Sequence, residues 1–419
     1  MKPYKLSNVA VALEHEFAMA IRKQVMWGFA FDKNKAVQLY AKLSGKRAEL
    51  DEKLQDSFPP IYLEPGHPDG LKTKTKCIVF NPNSRKHIAE RFIEMGWNPS
   101  KFTPEGKPQI DESVLSSMIN PEAKLLNEYL LVSKRISQLA EAKGAWMKLE
   151  RNGRLFGDVL PNATLTGRCS HRSPILAQVP GVGSPYGKEC RELFTTTYPD
   201  WKLIGIDFSG LELRVCASYT EPYDDGELVH EVCEGDIHTV NQETLGLPSR
   251  DAAKTYIYAM LYGSGDERLG SIVGGGAVEG RELKRRFFAR WSGIAKLQTK
   301  LDKTIKSRGY LTGLDGRILP IRSKHAQLNT LLQSGGAVLM KAFNVALQRR
   351  LHAEGYIFGT DYAQCASIHD EVQLESRETV SKAISEIALD EISKSGAGFI
   401  FRCPLKGSIA IGNNWSETH

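Results

Sequence analysis

Apolar positions along the first third of the chain recur at helical spacing. Residues 9–25 hold them three and four apart, and 36–54 repeats the pattern with Lys, Glu and Arg between. Both stretches predict helices, as do 87–95 and 121–148. Between them 59–76 is rich in Pro, Gly and Lys and predicts turns or loop. From 154 to 199 the period is lost in favour of turns and short strands. Residues 203–206, Leu-Ile-Gly-Ile, form an apolar run expected of a buried strand that Asp207 ends. Ile368, Val372 and Leu374 flank His369-Asp370-Glu371, which reads as a hairpin tip. Residues 249–263 predict one helix, with Ser249 as its cap and Gly263 as its stop.

That last helix carries candidate chemistry. Arg250, Lys254, Tyr258 and Tyr262 recur every fourth residue and share one edge, while Ala253, Ile257, Met260 and Leu261 turn to the other side. Two fixed cations followed by two flat rings suit a nucleotide, with phosphates on the cations and sugar or base on a ring. A surface helix with extended cations and half-buried tyrosines has the same pattern. Asp207 at a strand end suits a divalent cation or a plain turn cap. The 281–308 stretch concentrates Arg and Lys and reads either as a solvated face or as a phosphate-facing surface.

Composition narrows the class. The 419 residues exceed one ordinary domain core, so two or three lobes are expected. The formal net charge of +6 is compatible with a nucleic-acid partner. Seven scattered cysteines, none in a CxxC pair, are expected as reduced thiols rather than a zinc or disulfide framework. No apolar run has the length of a membrane span, so no membrane partner and a cytoplasmic location are expected.

Three segments in order, LIGIDFSGLELR from Leu203, the Arg250–Tyr262 helix and SIHDEVQLE from Ser367, together resemble the three polymerase motifs of the DNA polymerase I family, family A. The resemblance runs from about residue 13 to 415 and is nearest to the replicative DNA polymerases of short-tailed bacteriophages. It implies a right-hand fold of α+β class, with an antiparallel-sheet palm and helical fingers and thumb. The expected boundaries are 1–148 for the thumb, 149–219 with 329–419 for the palm, and 220–328 for the fingers. It implies template-directed, primer-dependent DNA synthesis from dNTPs, with DNA primer–template and dNTPs as partners, in the cytoplasm of a bacterial host. Two Mg²⁺ ions are implied, held by Asp207, the carbonyl of Phe208 and Asp370. Arg250, Lys254, Tyr258, Tyr262, His238 and Glu212 would bind the dNTP, and Lys254 would also protonate the leaving pyrophosphate.

Glu212 would bar a ribose 2′ hydroxyl, and Tyr258 at its position implies ready acceptance of dideoxynucleotides. Arg168, Gln178, Asn329, Gln333 and His369 would contact the DNA, with Glu371 as a neighbour of the metal aspartates. Alternatives stand beside two of these: Arg168 pairing with a nearby carboxylate, and Glu212 pairing with Arg214 or another cation. With the thumb expected almost at residue 1, no proofreading domain is expected before it. A bare module, an excised fragment and a separate exonuclease chain all remain open, as do other replication partners, and a monomer is expected. The 60–76 stretch is short where phage relatives often carry a partner-recruiting insertion. Two rival functions fit parts of the pattern. A single-subunit RNA polymerase relative would have a small residue where Glu212 stands, and an inactive DNA-binding protein would not keep Asp207, Asp370, Arg250 and Lys254 together.

Overall fold

A computed structural model describes residues 7–68 and 70–418, so the expected 1–148 lobe and the 59–76 stretch each include residues outside it. The chain divides into two compact units, Asp32–Gly153 and the remainder. The smaller unit is mainly helical. Its Lys33–Ser57 helix, capped by Asp32 on Lys35 N–H, packs along the Pro121–Ile136 helix. Leu39, Leu43, Leu50 and Leu54 recur on one face of the first helix and are buried, as the period predicts. The helical stretch expected to run to residue 148 breaks after a π-helical turn, Ser137–Glu141, and resumes only at Trp146–Leu149. The stems of the 59–76 stretch pair as a small antiparallel hairpin, Ile61–Leu63 with Lys76–Ile78.

The larger unit also holds the first described helix, Asn8–Trp27, whereas the sequence leads one to expect it in the N-terminal lobe. The reason is its buried face. Phe17 and Ile21 pack with Val159 and Val345, and Gln24 accepts from Gln364 Nε2 at 2.8 Å.

At the centre of this unit lies a four-stranded antiparallel sheet in the order Tyr362–Ile368, Glu371–Arg377, Trp201–Phe208, Gly407–Gly412. The Trp201–Phe208 strand is buried on both faces along most of its length, which explains its unbroken apolar run. Ile204, Ile206 and Phe208 face the main core, where the Phe208 and Phe343 rings meet at 5.3 Å. Gly205 faces the other way. A Cβ there would overlap the Thr418 carbonyl oxygen and crowd Gln373 Nε2, so only glycine lets the 413–418 segment lie across the sheet. The Gln327–Ala353 helix packs on the Leu211–Asp224 helix that follows the central strand. No helix of the described residues is long and apolar enough to cross a membrane.

Candidate active site

The sheet brings together the two aspartates that are far apart in sequence. Asp207 is the penultimate residue of the central strand. Asp370 lies with His369 in the two-residue turn joining the Tyr362–Ile368 and Glu371–Arg377 strands, and His369 has φ 54°, as such tight hairpin turns require. Glu371 pairs in register with Asp207, and Phe208 N–H donates to the Asp370 carbonyl at 3.1 Å. Burial, then the charge of Glu212, pushes the Asp370 carboxyl up to about 6.

Glu212 sits in the first turn of the next helix and is buried. Its Oε1 accepts from Arg168 Nη2 at 2.7 Å and from the Tyr262 hydroxyl at 3.3 Å. Arg168 is therefore paired with a carboxylate in this structure. Arg214 points elsewhere, to the carbonyls of Ser209 and Pro404 and to Cys233 Sγ, so it is not the partner of Glu212.

The nucleotide-type helix spans Arg250–Leu261 with Ser249 Oγ accepting from Ala252 N–H, and it stops where Gly263 takes φ 78°. A Cβ on Gly263 would strike the His325 carbonyl, which gives the stop a packing reason as well. Its apolar side is buried as expected, with Tyr256 added. On the other edge the Tyr258 and Tyr262 rings lie 6.1 Å apart, and His238 lies 6.4 Å from Tyr258. Burial and the nearby Glu212 push both hydroxyls up to about 12, and Asp370 and Asp207 add to the effect on Tyr258. Tyr258 is thus close enough to both aspartates for their charge to act on it. Burial, with Arg250 and Lys254 close by, lowers the His238 pKa.

Sequence reasoning missed two members of this region. Asp236 holds Arg250 by two hydrogen bonds, 2.8 and 3.1 Å, while capping the Ile237–Leu245 helix. These bonds hold the carboxyl far below its usual range. The signal was an Asp just before a helix start, but its cation lies 14 positions away. His171 is the second. Burial and the neighbouring His369 lower it to about 4. With Arg168, Cys169, Lys341 and His369 it lines a small cavity beside the turn.

Other expected residues lie apart. Gln178 ends a short 3₁₀ turn packed beside the Tyr362–Ile368 strand, and its side chain is exposed. Asn329 and Gln333 share a face of the Gln327–Ala353 helix, half-buried, and among the described residues neither hydrogen-bonds the carboxylate cluster. Asn329 Oδ1 is buried without a hydrogen-bond partner. The basic 281–308 stretch is two helices, broken at Trp291. Much of its charge is used internally: Arg286 donates to the Thr244 and Leu245 carbonyls, Arg290 binds Glu227, Lys284 binds Asp266 and Lys296 donates to the Tyr223 carbonyl. All seven cysteines carry free thiols.

Among the described residues no group of three or more His, Cys, Asp or Glu side chains could hold a metal ion. Family A DNA polymerases are generally divalent-metal dependent. Two carboxylates with a backbone carbonyl are too few for an all-protein cage, but they are the hard oxygen donors that a cation completing its shell with water and phosphate requires.

Comparison with known proteins gives the family and the fold. The profile of DNA polymerase family A matches residues 70–417. The chain is 37% identical to the DNA-directed DNA polymerase of Enterobacteria phage T3 over 98% of its own length and 70% of that protein. The DNA-directed DNA polymerase of Escherichia phage T7 gives the same identity and coverage. Among solved structures, the POL domain of Pol1 from M. smegmatis, in complex with DNA primer-template and dNTP, superposes with a TM-score of 0.81 at 18% identity, covering 97% of this chain and 70% of that one. The right-hand polymerase fold of α+β class is therefore present, and the chain belongs to DNA polymerase family A.

Proposed function

We infer that this chain catalyses template-directed, primer-dependent DNA synthesis from dNTPs, as family membership and its relatives support. The observation that carries the residue assignments is the meeting of Asp207, Asp370, Glu212 and Tyr258 at one end of the central sheet. Asp207, Asp370 and the Phe208 carbonyl would hold two Mg²⁺ ions, whose chemistry when bound is to stabilise the attacking primer oxygen and the leaving phosphate oxygen. The donor set fits, being hard oxygen throughout.

The chain's own groups order the nucleotide. Arg250 and Lys254 stand on the first turns of their helix, where the backbone also offers a positive end to phosphates. Arg250 exchanges Asp236 for a phosphate oxygen when the triphosphate arrives. Lys254 neutralises the pyrophosphate and supplies its proton. His238 approaches the triphosphate from beside Tyr258. Tyr258 packs on the deoxyribose, Glu212 closes the space a 2′ hydroxyl would need, and Tyr262, bonded to Glu212, guards the insertion position. Arg168 and His369 lie near the primer end, and Gln178, Asn329 and Gln333 contact the duplex further along. In this reading the Asp32–Gly153 unit is the thumb, the sheet with its flanking helices is the palm, and 220–328 are the fingers. Primer–template and dNTPs are the partners, and the protein acts as a monomer.

One assay tests the whole. Labelled primer–template is incubated with Mg²⁺ and dNTPs, with rNTPs, or with EDTA. Extension only with dNTPs and metal is the expected result. Equal use of rNTPs would favour the RNA polymerase reading, and no extension under any condition would sink the enzymatic one.

A further inference from the structure

Glu371 directly follows Asp370 and stands opposite Asp207 in the neighbouring strand. Directly opposed residues of an antiparallel pair project to the same face. Its carboxylate is nevertheless buried and tied to other groups. The Trp415 indole Nε1–H donates to Oε1 at 2.6 Å, and the Gln373 amide donates to the same oxygen at 2.7 Å. Arg191 Nη1 lies 4.0 Å from that oxygen, while its guanidinium covers the Trp415 ring at 4.5 Å. An N–H to carboxylate bond this short is of the strong, charge-assisted kind.

Trp415 is itself fixed. It is 1% exposed and lies against Phe29 at 5.6 Å and Phe194 at 5.2 Å. Its backbone N–H donates to the Phe194 carbonyl at 2.9 Å. The ring therefore has one position, set by segments that are remote from the turn in sequence. Asp370, by contrast, lies in a two-residue turn whose exit is the backbone of Glu371.

We propose that Trp415 is a positioning residue for the polymerase reaction. Its indole N–H holds Glu371 and thereby fixes the exit of the turn that presents Asp370. The tether also keeps a third carboxylate, on the face of Asp207, from turning towards the ions that the two aspartates would hold. This rests on the reading of Asp207 and Asp370 as metal ligands.

The test begins with Trp415→Phe, which keeps a ring and removes the N–H. Single-turnover incorporation should slow by about tenfold. The dissociation constants for dNTP and primer–template should stay within about twofold, because no binding group has been touched. Mn²⁺ binding without nucleotide, followed by electron paramagnetic resonance, should weaken. Glu371→Ala combined with Trp415→Phe should be no slower than Glu371→Ala, since both remove one bond and independent effects would multiply. A readout free of catalysis is the ¹⁵N indole spectrum, in which the Trp415 signal, identified by its loss in Trp415→Phe, should move in Glu371→Ala. A wild-type rate in Trp415→Phe, multiplicative slowing in the double variant, or an unmoved indole signal would each overturn the proposal. Failure of the metal-ligand reading would appear separately, as primer extension that survives Asp207→Asn.

Discussion

Replacing Glu212 by Ala removes one oxygen that serves two partners. Arg168 and Glu212 side chains are 23% and 11% exposed, so their 2.7 Å bond is partly screened by protein rather than by water. A hydrogen bond to a charged group contributes about 1.5–3 kcal/mol. The Tyr262 contact, at 3.3 Å, is long and adds little. The expected loss is therefore about 2 kcal/mol, which lowers the melting temperature by a few degrees in a protein of this size. The functional effect is separate. In the proposed reading the deleted carboxylate stands where the sugar would pack against Tyr258, and rejection on shape is worth about 1–3 kcal/mol, roughly 10–200-fold. Ribonucleotide use relative to dNTP should rise by that factor in Glu212→Ala. Arg168→Ala should lose similar stability but leave most of the sugar discrimination, because the carboxylate remains. The assay is steady-state incorporation of matched rNTP and dNTP, with calorimetric melting of each variant. An unchanged rNTP to dNTP ratio in a Glu212→Ala protein that still uses dNTP well would refute the reasoning.

Asp207→Asn and Asp370→Asn should each abolish extension, by far more than tenfold, while a gel-shift assay shows primer–template still bound; near wild-type extension by either would remove that residue from the metal set. Tyr258→Phe should confer resistance to dideoxynucleotide termination, read from sequencing ladders of the two proteins, and equal sensitivity would reject the sugar contact. Asp370 also sets a pH dependence: its folded pKa of about 6 exceeds the ordinary 3.8, so the native state holds the proton more tightly than the unfolded chain. In EDTA its contribution is most favourable below about pH 4 and is lost as pH rises to about 6, by at most about 3 kcal/mol. Melting of wild type and Asp370→Asn over that range checks it, the expected result being that wild-type stability falls relative to the variant as pH rises, since groups such as His171 titrate in both proteins.

Local order was the most legible part of this chain. The Arg250–Leu261 helix, its Ser249 cap and its Gly263 stop follow from spacing within fifteen or so residues, and the hairpin turn at His369 follows from the apolar positions around it. Pairings across the chain were not legible. Arg168 with Glu212 and Trp415 with Glu371 are each 44 positions apart, and nothing in the periodicity of either segment names its partner. The same holds for the Asn8–Trp27 helix, whose amphipathic face predicts burial but not which unit buries it. The basic stretch misleads for a different reason. Carbonyl acceptors such as those of Thr244, Leu245 and Tyr223 have no side-chain signature, so charge counting overstates what is offered to DNA.

The order of strands in the central sheet also bears on how the protein is made. The strand that carries Asp207 lies between Glu371–Arg377 and Gly407–Gly412, both far downstream. The gap from Phe208 to Glu371, about 160 residues, takes roughly ten to thirty seconds to synthesise on a ribosome at the usual pace. Through that interval the Trp-Lys-Leu-Ile-Gly-Ile-Asp-Phe segment is an apolar strand with neither neighbour. Such a strand is open to pairing with other chains. Retaining the nascent segment in a chaperone, or covering it transiently with the helices that follow it, would therefore protect the yield of active protein.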